Sequence, residues 1–220
     1  MKTLIAIPCM DMLPADFLRS LLKMQIIGEV GYDIVTSSLI YDARNHIAQD
    51  AVAGGFDYVL WLDSDTLPTY DALWKLKIGT EEGFDIMSGL YFQRRPPYTP
   101  TIYKRLELMQ LDGGKLDPVA ECYTDYPKSE RFEIQGCGFG CTFMSVDLIR
   151  KVTDQFGIMP FMPVGGFGED LSFCLRARRA GAKIGCDSSV LCGHVGRMVY
   201  DEAWSERWRN EHGNESDSDS

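Results

Sequence analysis

The chain has 220 residues, 45% of them hydrophobic, and a formal net charge of −10 at pH 7. Its length and apolar content are sufficient for one sizeable core, so we expect a single domain over residues 1–205. The acidic balance argues against a nucleic-acid partner because phosphate contacts need lysine and arginine, and no apolar run reaches the roughly eighteen residues of a membrane span.

Strands and helices alternate through the first half of the chain. Apolar runs predict strands at 4–7, 32–36, 57–62 and 85–91, and helices are predicted from Pro14, over 43–53 and over 70–77. In the first of these helices, one apolar stripe is expected to face the core and consists of Phe17, Leu18, Leu21 and Leu22. This alternation predicts an α/β fold with a mostly parallel central sheet flanked by helices.

The second half is less regular. A Leu-Asp-Gly-Gly-Lys sequence at 111–115 is typical of a hairpin tip, so 103–133 should form a small antiparallel excursion from the main sheet. Further elements are expected as a strand at 141–146, a helix over 147–155, a helix ending at 180 and a strand at 182–186. The acidic residues 206–220 are expected to form a disordered tail.

Cysteine usage and the amino terminus indicate where the protein resides. The seven cysteines include no Cys-x-x-Cys pair, which favours reduced and mostly buried thiols over a disulfide framework. The apolar run at 4–7 is too short for a signal peptide. We therefore expect a cytoplasmic protein.

Two carboxylates end the most apolar strand of the chain. Asp63 and Asp65 directly follow Tyr58-Val59-Leu60-Trp61-Leu62, which is typical of a strand buried on both faces. Residues two apart in an extended chain point the same way, so both carboxylates can reach one small volume, where a hard divalent cation would suit them. Asp-Ser-Asp before Thr-Leu-Pro is equally good turn chemistry. The sequence leaves these two interpretations open.

Acidic residues also follow Gly168, where a helix is predicted to begin. Glu169 and Asp170 suit the first turn of a helix because its macrodipole favours negative charge there, which requires no functional role. The alternative is that one carboxylate faces a cleft and acts as a general base.

Two basic residues are further candidates. His194 lies between glycines downstream of the last predicted strand and is either a core residue or a further metal ligand. Arg44 lies near the start of a helix that follows a strand, where it either binds phosphate or is exposed to solvent.

Together these sites resemble the GT-A glycosyltransferases, particularly compact members of the family-2 type. The resemblance covers about residues 3–196 and rests on the following sequences: Ile5-Ala6-Ile7-Pro8, Ala43-Arg44-Asn45, Asp57 to Asp65, Gly136-Cys137-Gly138-Phe139-Gly140, Gly168-Glu169-Asp170 and His194. It implies a Rossmann-like GT-A sheet and transfer of a sugar from a nucleotide-diphosphate sugar to an acceptor hydroxyl, with inversion expected at the anomeric carbon.

The resemblance also implies a role for each candidate residue. Asp65 and His194 are expected to bind Mn²⁺ or Mg²⁺, and Asp63 to contact the ribose or the water shell of the ion. Asp170 is the expected catalytic base. The remaining roles are nucleotide binding by Pro8 and Arg44 and acceptor binding by Gly168 and Glu169.

Other functions share these features. A nucleotidyltransferase would use a similar α/β layer and metal carboxylates. It normally has a glycine-rich basic loop near the first strand, and residues 8–14 of this sequence contain none. A non-catalytic protein that binds nucleotide sugars or glycans is the alternative from another class. The acceptor, whether carbohydrate, lipid or protein, is not specified by the sequence.

Overall fold

The structure, a computed structural model, describes residues 1–110, 116–196 and 202. The predicted hairpin tip at 111–115 and the predicted acidic tail at 206–220 lie outside the described residues. In chain order the strands are β1 Lys2–Cys9, β2 Glu29–Thr36, β3 Tyr58–Leu62, β4 Thr66–Leu67, β5 Ile86–Leu90, β6 Ile102–Gln110, β7 Leu116–Cys122, β8 Arg131–Ile134, β9 Gly136–Cys137, β10 Cys141–Ser145, β11 Ile184–Leu191 and β12 Gly193–His194. The helices are α1 Ala15–Lys23, α2 Ile40–Ala53, α3 Ala72–Glu81, α4 Val146–Phe156 and α5 Glu169–Arg179.

A seven-stranded sheet forms the centre, in the order β2-β1-β3-β10-β5-β11-β8. Strand β1 is parallel to β2 and β3, and β5 is parallel to β11. Strand β10 lies antiparallel between β3 and β5, and β8 is antiparallel to β11. The predicted α/β class with a mostly parallel sheet and flanking helices is confirmed.

Two smaller sheets stand beside the main one. Strands β6, β7 and β9 form an antiparallel sheet, which confirms the expected excursion over 103–133. Strands β12 and β4 pair antiparallel, with His194 opposite Thr66 and Gly193 opposite Leu67. This last pair brings the far end of the described chain to the residues that follow β3.

The core contains the strand that the sequence marked as buried. Val59 to Leu62 are fully buried, with apolar neighbours on both faces of the sheet. Helix α1 differs from its prediction, because Phe17 and Leu21 are buried whereas Leu18 and Leu22 are 44% and 77% exposed. This nine-residue helix buries one narrow i, i+4 stripe, and each following residue points about 100° away from it.

All seven cysteines are free thiols, and six of them are buried, as expected. Of the helices in the described part of the chain, none combines the length and the apolar character needed to cross a membrane.

Candidate active site

Asp63 and Asp65 lie in a tight turn at the carboxyl end of β3. The Asp63 amide donates to the Gly140 carbonyl at 3.1 Å, and the Thr66 amide donates to the Asp63 carbonyl at 2.9 Å. The two interpretations left open by the sequence therefore do not exclude each other. The turn is formed by backbone hydrogen bonds, and both carboxylates remain free to make other contacts.

The Asp63 carboxylate forms an ion pair with a buried arginine, Arg44. Arg44 Nη2 donates to Asp63 Oδ1 at 2.6 Å, and Arg44 Nε donates to Glu169 Oε1 at 3.1 Å. The Arg44 side chain is only 1% exposed and lies over the rings of Trp61 and Phe139, at 5.5 and 5.6 Å from its guanidinium carbon to their centroids. Arg44 thus links the end of β3 to the start of α5.

Burial and charge act against each other in this group. Burial lowers the pKa of Arg44, but the charges of Asp63 and Glu169 outweigh it and raise the pKa above its usual value. Burial raises the pKa of Asp63, and the attraction of Arg44 only partly offsets that rise. Buried charges in proteins are usually paired with opposite charges, and here the Arg44 guanidinium lies between two carboxylates.

Asp65 has different partners from Asp63. Its Oδ2 lies 2.7 Å from Nη1 of Arg94, and its Oδ1 lies 3.6 Å from Nε2 of His194. Burial raises the pKa of the Asp65 carboxyl, but His194 and Arg94 outweigh burial, so the pKa lies below its usual range. Asp65 is therefore a charged carboxylate at neutral pH.

The imidazole of His194 is fixed by its second nitrogen. Its Nδ1 is 2.7 Å from the Phe92 carbonyl, and its ring meets the Tyr91 ring edge-on at 5.3 Å between centroids. Because a carbonyl only accepts hydrogen bonds, Nδ1 carries a proton, and Nε2 of the neutral ring presents a lone pair toward Asp65. Burial lowers the pKa of His194, but Asp65 and the Phe92 carbonyl outweigh burial and raise it.

Two cavities meet at the Asp63–Asp65 turn, which contributes to the walls of both. The first has a volume of about 500 Å³ and is lined by Asp63, Asp65, Tyr91, Gln93, Arg94, Arg95, Thr101, Tyr103, Gly138, Asp170 and His194. The second has a volume of about 420 Å³ and is lined by Pro8, Cys9, Met10, Asp11, Met12, Ser37, Ser38, Ile40, Asp63, Ser64 and Asp65. A ligand that spans both cavities would pass over the two carboxylates.

Asp170 faces the first cavity from the first turn of α5. Burial raises the pKa of its carboxyl to about 7, and the neighbouring charge of Glu169 adds to the rise. The Leu171 amide donates to Asp170 Oδ1 at 2.7 Å, which partly opposes it. A carboxyl with a pKa near neutrality is well suited to accept a proton, because it is ionised yet still basic.

The structure thus brings four predicted residues to one cavity, namely Asp63, Asp65, Asp170 and His194, and places Pro8 in the wall of the adjoining one. Arg44 and Glu169 lie behind this surface, bound to each other, and Gly168 is the residue before α5. Over residues 1–110, 116–196 and 202, no three His, Cys, Asp or Glu side chains converge as a ready-made metal site.

Sequence reasoning predicted no contact partner for two residues of the first cavity, Arg94 and Tyr91. Arg94 forms the ion pair with Asp65, and its position in a proline-broken Arg-Arg-Pro-Pro segment gave no indication of that contact. Tyr91 lies beneath the glycine-rich 136–140 segment, where its hydroxyl accepts from the Gly140 amide at 2.9 Å. A Cβ at Gly140 would lie 2.5 Å from Thr66 Oγ1 and 2.7 Å from Tyr91 Cζ, which explains the glycine.

Comparisons with known proteins place the fold. No family model matches the chain, and no curated protein sequence matches it significantly. Among solved structures, A197 from STIV is similar with a TM-score of 0.65 and 19% identity, covering 90% of this chain and 87% of that one. GalNAc-T7 with UDP, GalNAc and Mn²⁺ is similar with a TM-score of 0.58 and 11% identity, covering 93% of this chain. TarS 1-349 of S. aureus in complex with UDP-GlcNAc is similar with a TM-score of 0.56 and 14% identity, covering 96% of this chain.

These similarities define the fold as GT-A-like. The chain spans 45% of the GalNAc-T7 chain and 65% of the TarS chain. At such low identities the likeness concerns the fold, and the chemistry has to be argued from the residues of the two cavities.

Proposed function

We propose that the protein is a metal-dependent glycosyltransferase that moves one sugar from a nucleotide-diphosphate sugar to an acceptor hydroxyl with inversion. The single observation that carries this proposal is the meeting of the two cavities at the Asp63–Asp65 turn, with Asp170 facing one and Pro8 lining the other. Two solved GT-A neighbours carry UDP or a UDP sugar, and one of these also carries Mn²⁺, which supports the donor class.

The donor set for a cation is Asp65 together with His194. When the imidazole is neutral, its Nε2 lone pair faces a carboxylate oxygen 3.6 Å away, and two electron-pair donors in that position fit a shared cation. Carboxylate and imidazole suit Mn²⁺, and Mg²⁺ is the alternative. Such an ion, when bound with the donor, neutralises charge on the diphosphate.

Asp63 is held in a different role by Arg44. Its Oδ1 is bound to the buried guanidinium at 2.6 Å, so we assign Asp63 to positioning the turn and contacting the ribose or the water shell of the ion. Pro8 in the second cavity is assigned to the nucleoside. Arg44 is buried and paired with Asp63, so we assign it to holding the Asp63 carboxylate in place in the nucleotide site.

Asp170 is the proposed base for the transfer step. Its carboxylate accepts the proton of the acceptor hydroxyl while that oxygen forms its bond to the anomeric carbon. The bond from the anomeric carbon to the diphosphate oxygen breaks on the opposite side, and the nucleoside diphosphate leaves with the electron pair. A single displacement of this kind inverts the anomeric centre. Gly168 and Glu169 lie at the same helix start. Because Glu169 is bound to Arg44 behind the cavity, we assign this pair to holding Asp170 toward the acceptor.

Donor binding tests the first half of the proposal. Thermal unfolding is measured with UDP, GDP, CDP and dTDP sugars, each with Mn²⁺ and with a chelator. A ligand at a hundred times its dissociation constant stabilises the folded state by about 2.7 kcal/mol, which is easily measured. We expect a metal-dependent shift for one nucleotide and its loss in Asp65→Ala. The absence of any shift with every nucleotide would contradict the proposal.

Catalysis tests the second half. Release of the nucleoside diphosphate from the bound donor, with water as a substitute acceptor, is measured for the wild type and for Asp170→Asn. We expect the variant to lose this release while keeping the donor-dependent thermal shift. Binding without release in the wild type would favour a non-catalytic binding protein. Pyrophosphate release from a nucleoside triphosphate would instead favour a nucleotidyltransferase.

A further inference from the structure

The ion pair between Arg94 and Asp65 occupies one oxygen of the carboxylate that the proposed cation needs, and the other oxygen faces His194. Arg94 Nη1 lies 2.7 Å from Asp65 Oδ2 and also donates to the Val195 carbonyl at 2.9 Å. Asp65 is thus already neutralised by a positive charge in the described protein. A cation that binds Asp65 has to share this carboxylate with the guanidinium or displace it.

The surroundings of Arg94 allow it to move. Its side chain is 48% exposed, and its aliphatic part lies over Gly196, where an added Cβ would meet Arg94 Cδ at 3.3 Å. Its charged end lines the first cavity beside Asp65 and His194. By contrast, Arg44 is fully enclosed and fixed by two carboxylates. Of these two arginines at the turn, Arg94 is the one that can change partners at small cost.

We propose that Arg94 exchanges partners during donor binding: it pairs with Asp65 in the empty site and with the oxygens of the nucleoside diphosphate in the loaded site. This inference rests on the proposed function. An arginine fork suits phosphate oxygens at least as well as a carboxylate, because it can donate two parallel hydrogen bonds. Once the charge of Asp65 is taken up by a cation, the diphosphate is the strongest remaining anion in the cavity.

The exchange couples the cation to the nucleotide. A cation alone competes with Arg94 for Asp65, whereas a cation that arrives with a diphosphate offers Arg94 a new partner. By thermodynamic linkage, each ligand then strengthens the binding of the other. Arg94 is a donor-binding residue in this proposal, and it favours loading of the complete donor over occupation by a free metal ion.

The test uses Arg94→Gln, with Arg105→Gln as a matched control. Arg105 is 47% exposed and pairs with Glu107 at 2.8 Å, so the control removes the same charge from a similar ion pair on β6. Free Mn²⁺ is titrated by electron paramagnetic resonance against each protein at neutral pH. UDP affinity is then measured by calorimetry at an Mn²⁺ concentration that saturates every variant. Wild-type UDP and Mn²⁺ binding are recorded in the same experiments.

We expect Arg94→Gln to bind Mn²⁺ alone about threefold to fivefold more tightly, the scale of one partly exposed ion pair. We expect it to bind UDP about tenfold more weakly, because a charge-assisted contact to the diphosphate is lost. A purely structural role for Arg94 would weaken both affinities, which would overturn the inference. The inference would also be overturned if Arg94→Gln bound Mn²⁺ no more tightly than the wild type, or if neither of these two proteins bound it measurably. Equal UDP affinity in Arg94→Gln and the wild type would overturn it as well.

These failures differ from a failure of the proposed function. If the wild type binds Mn²⁺ and UDP together and Arg94→Gln behaves like Arg105→Gln, only the exchange is wrong. If the wild type binds neither UDP nor any other nucleotide of the panel, the proposed function itself is wrong.

Discussion

Replacing Arg44 tests whether the two acidic sites of this protein are joined through one buried charge. In Arg44→Ala, Asp63 and Glu169 would lose their shared partner, and the packing of the guanidinium against Trp61 and Phe139 would also be lost. Removing one member of a buried ion pair typically costs about 3–5 kcal/mol, because the remaining charge stays buried without compensation. We therefore expect a loss of about 4 kcal/mol of unfolding free energy.

Arg44→Lys should be less damaging. It keeps the positive charge, but a single ammonium replaces two nitrogens that reach Asp63 at 2.6 Å and Glu169 at 3.1 Å. Loss of one hydrogen bond between charged groups corresponds to about 2 kcal/mol. As a control, Arg19→Ala removes an arginine that is 65% exposed and pairs with Asp16 on the surface. That change should stay within about 0.5 kcal/mol of the wild type.

The assay is urea unfolding followed by circular dichroism, supported by thermal melts. For a chain of this size, about 4 kcal/mol corresponds to a fall in Tm of about 8–16 °C. The pKa of Asp63 is already raised by burial, and removal of Arg44 should raise it further. Ionisation of Asp63 then costs stability above its unfolded pKa, so the deficit of Arg44→Ala should be larger at pH 8 than at pH 5. A deficit no larger than that of Arg19→Ala, or one equal at the two pH values, would refute this reasoning.

Three further outcomes follow from single sites. Because the pKa of Asp170 is about 7 in the folded protein and near 4 when unfolded, the wild type should lose stability relative to Asp170→Asn between about pH 4 and pH 7; parallel urea midpoints would contradict this. Gly140→Ala places a methyl 2.7 Å from Tyr91 Cζ and should lower unfolding free energy by about 1–3 kcal/mol, seen as a lower urea midpoint. Ser145→Ala removes the hydroxyl that accepts from the Leu148 amide at the start of α4 and should cost about 1 kcal/mol in the same measurement.

The sequence predicts well the elements with a strong apolar signal. The apolar run of β3 identifies a strand buried on both faces, and the acids that follow it could be placed at the carboxyl edge of a sheet. The antiparallel insertion of β10 between β3 and β5 could not be predicted, because a short apolar strand does not encode its direction. The exposed Leu18 and Leu22 were wrongly assigned because an apolar stripe shows which faces can be buried and not how wide the contact is.

Ion pairs between residues distant in the chain could not be predicted from the sequence either. The sequence offered Arg44 as a phosphate ligand or an exposed residue, and the structure shows a third state in which it is buried between two carboxylates. Asp63 is 19 residues and Glu169 is 125 residues away from it in the chain. The residues next to Arg44 in sequence do not depend on which distant carboxylate it contacts, so no local sequence pattern predicts this pairing. The same holds for Arg94, which meets Asp65 across a loop with no periodic signal.

The pairing of β12 with β4 also determines when, during synthesis of the chain, Asp65 and His194 can come together. His194 stands opposite Thr66, so a residue near the end of the described chain closes a site whose other half is made far earlier. Strands β1, β3, β5 and β10 can associate on a nascent chain while Asp65 still lacks its imidazole partner. A growing chain therefore contains most of the scaffold before it can bring Asp65 and His194 together, and the donor binding that we propose would be among the last properties that it acquires.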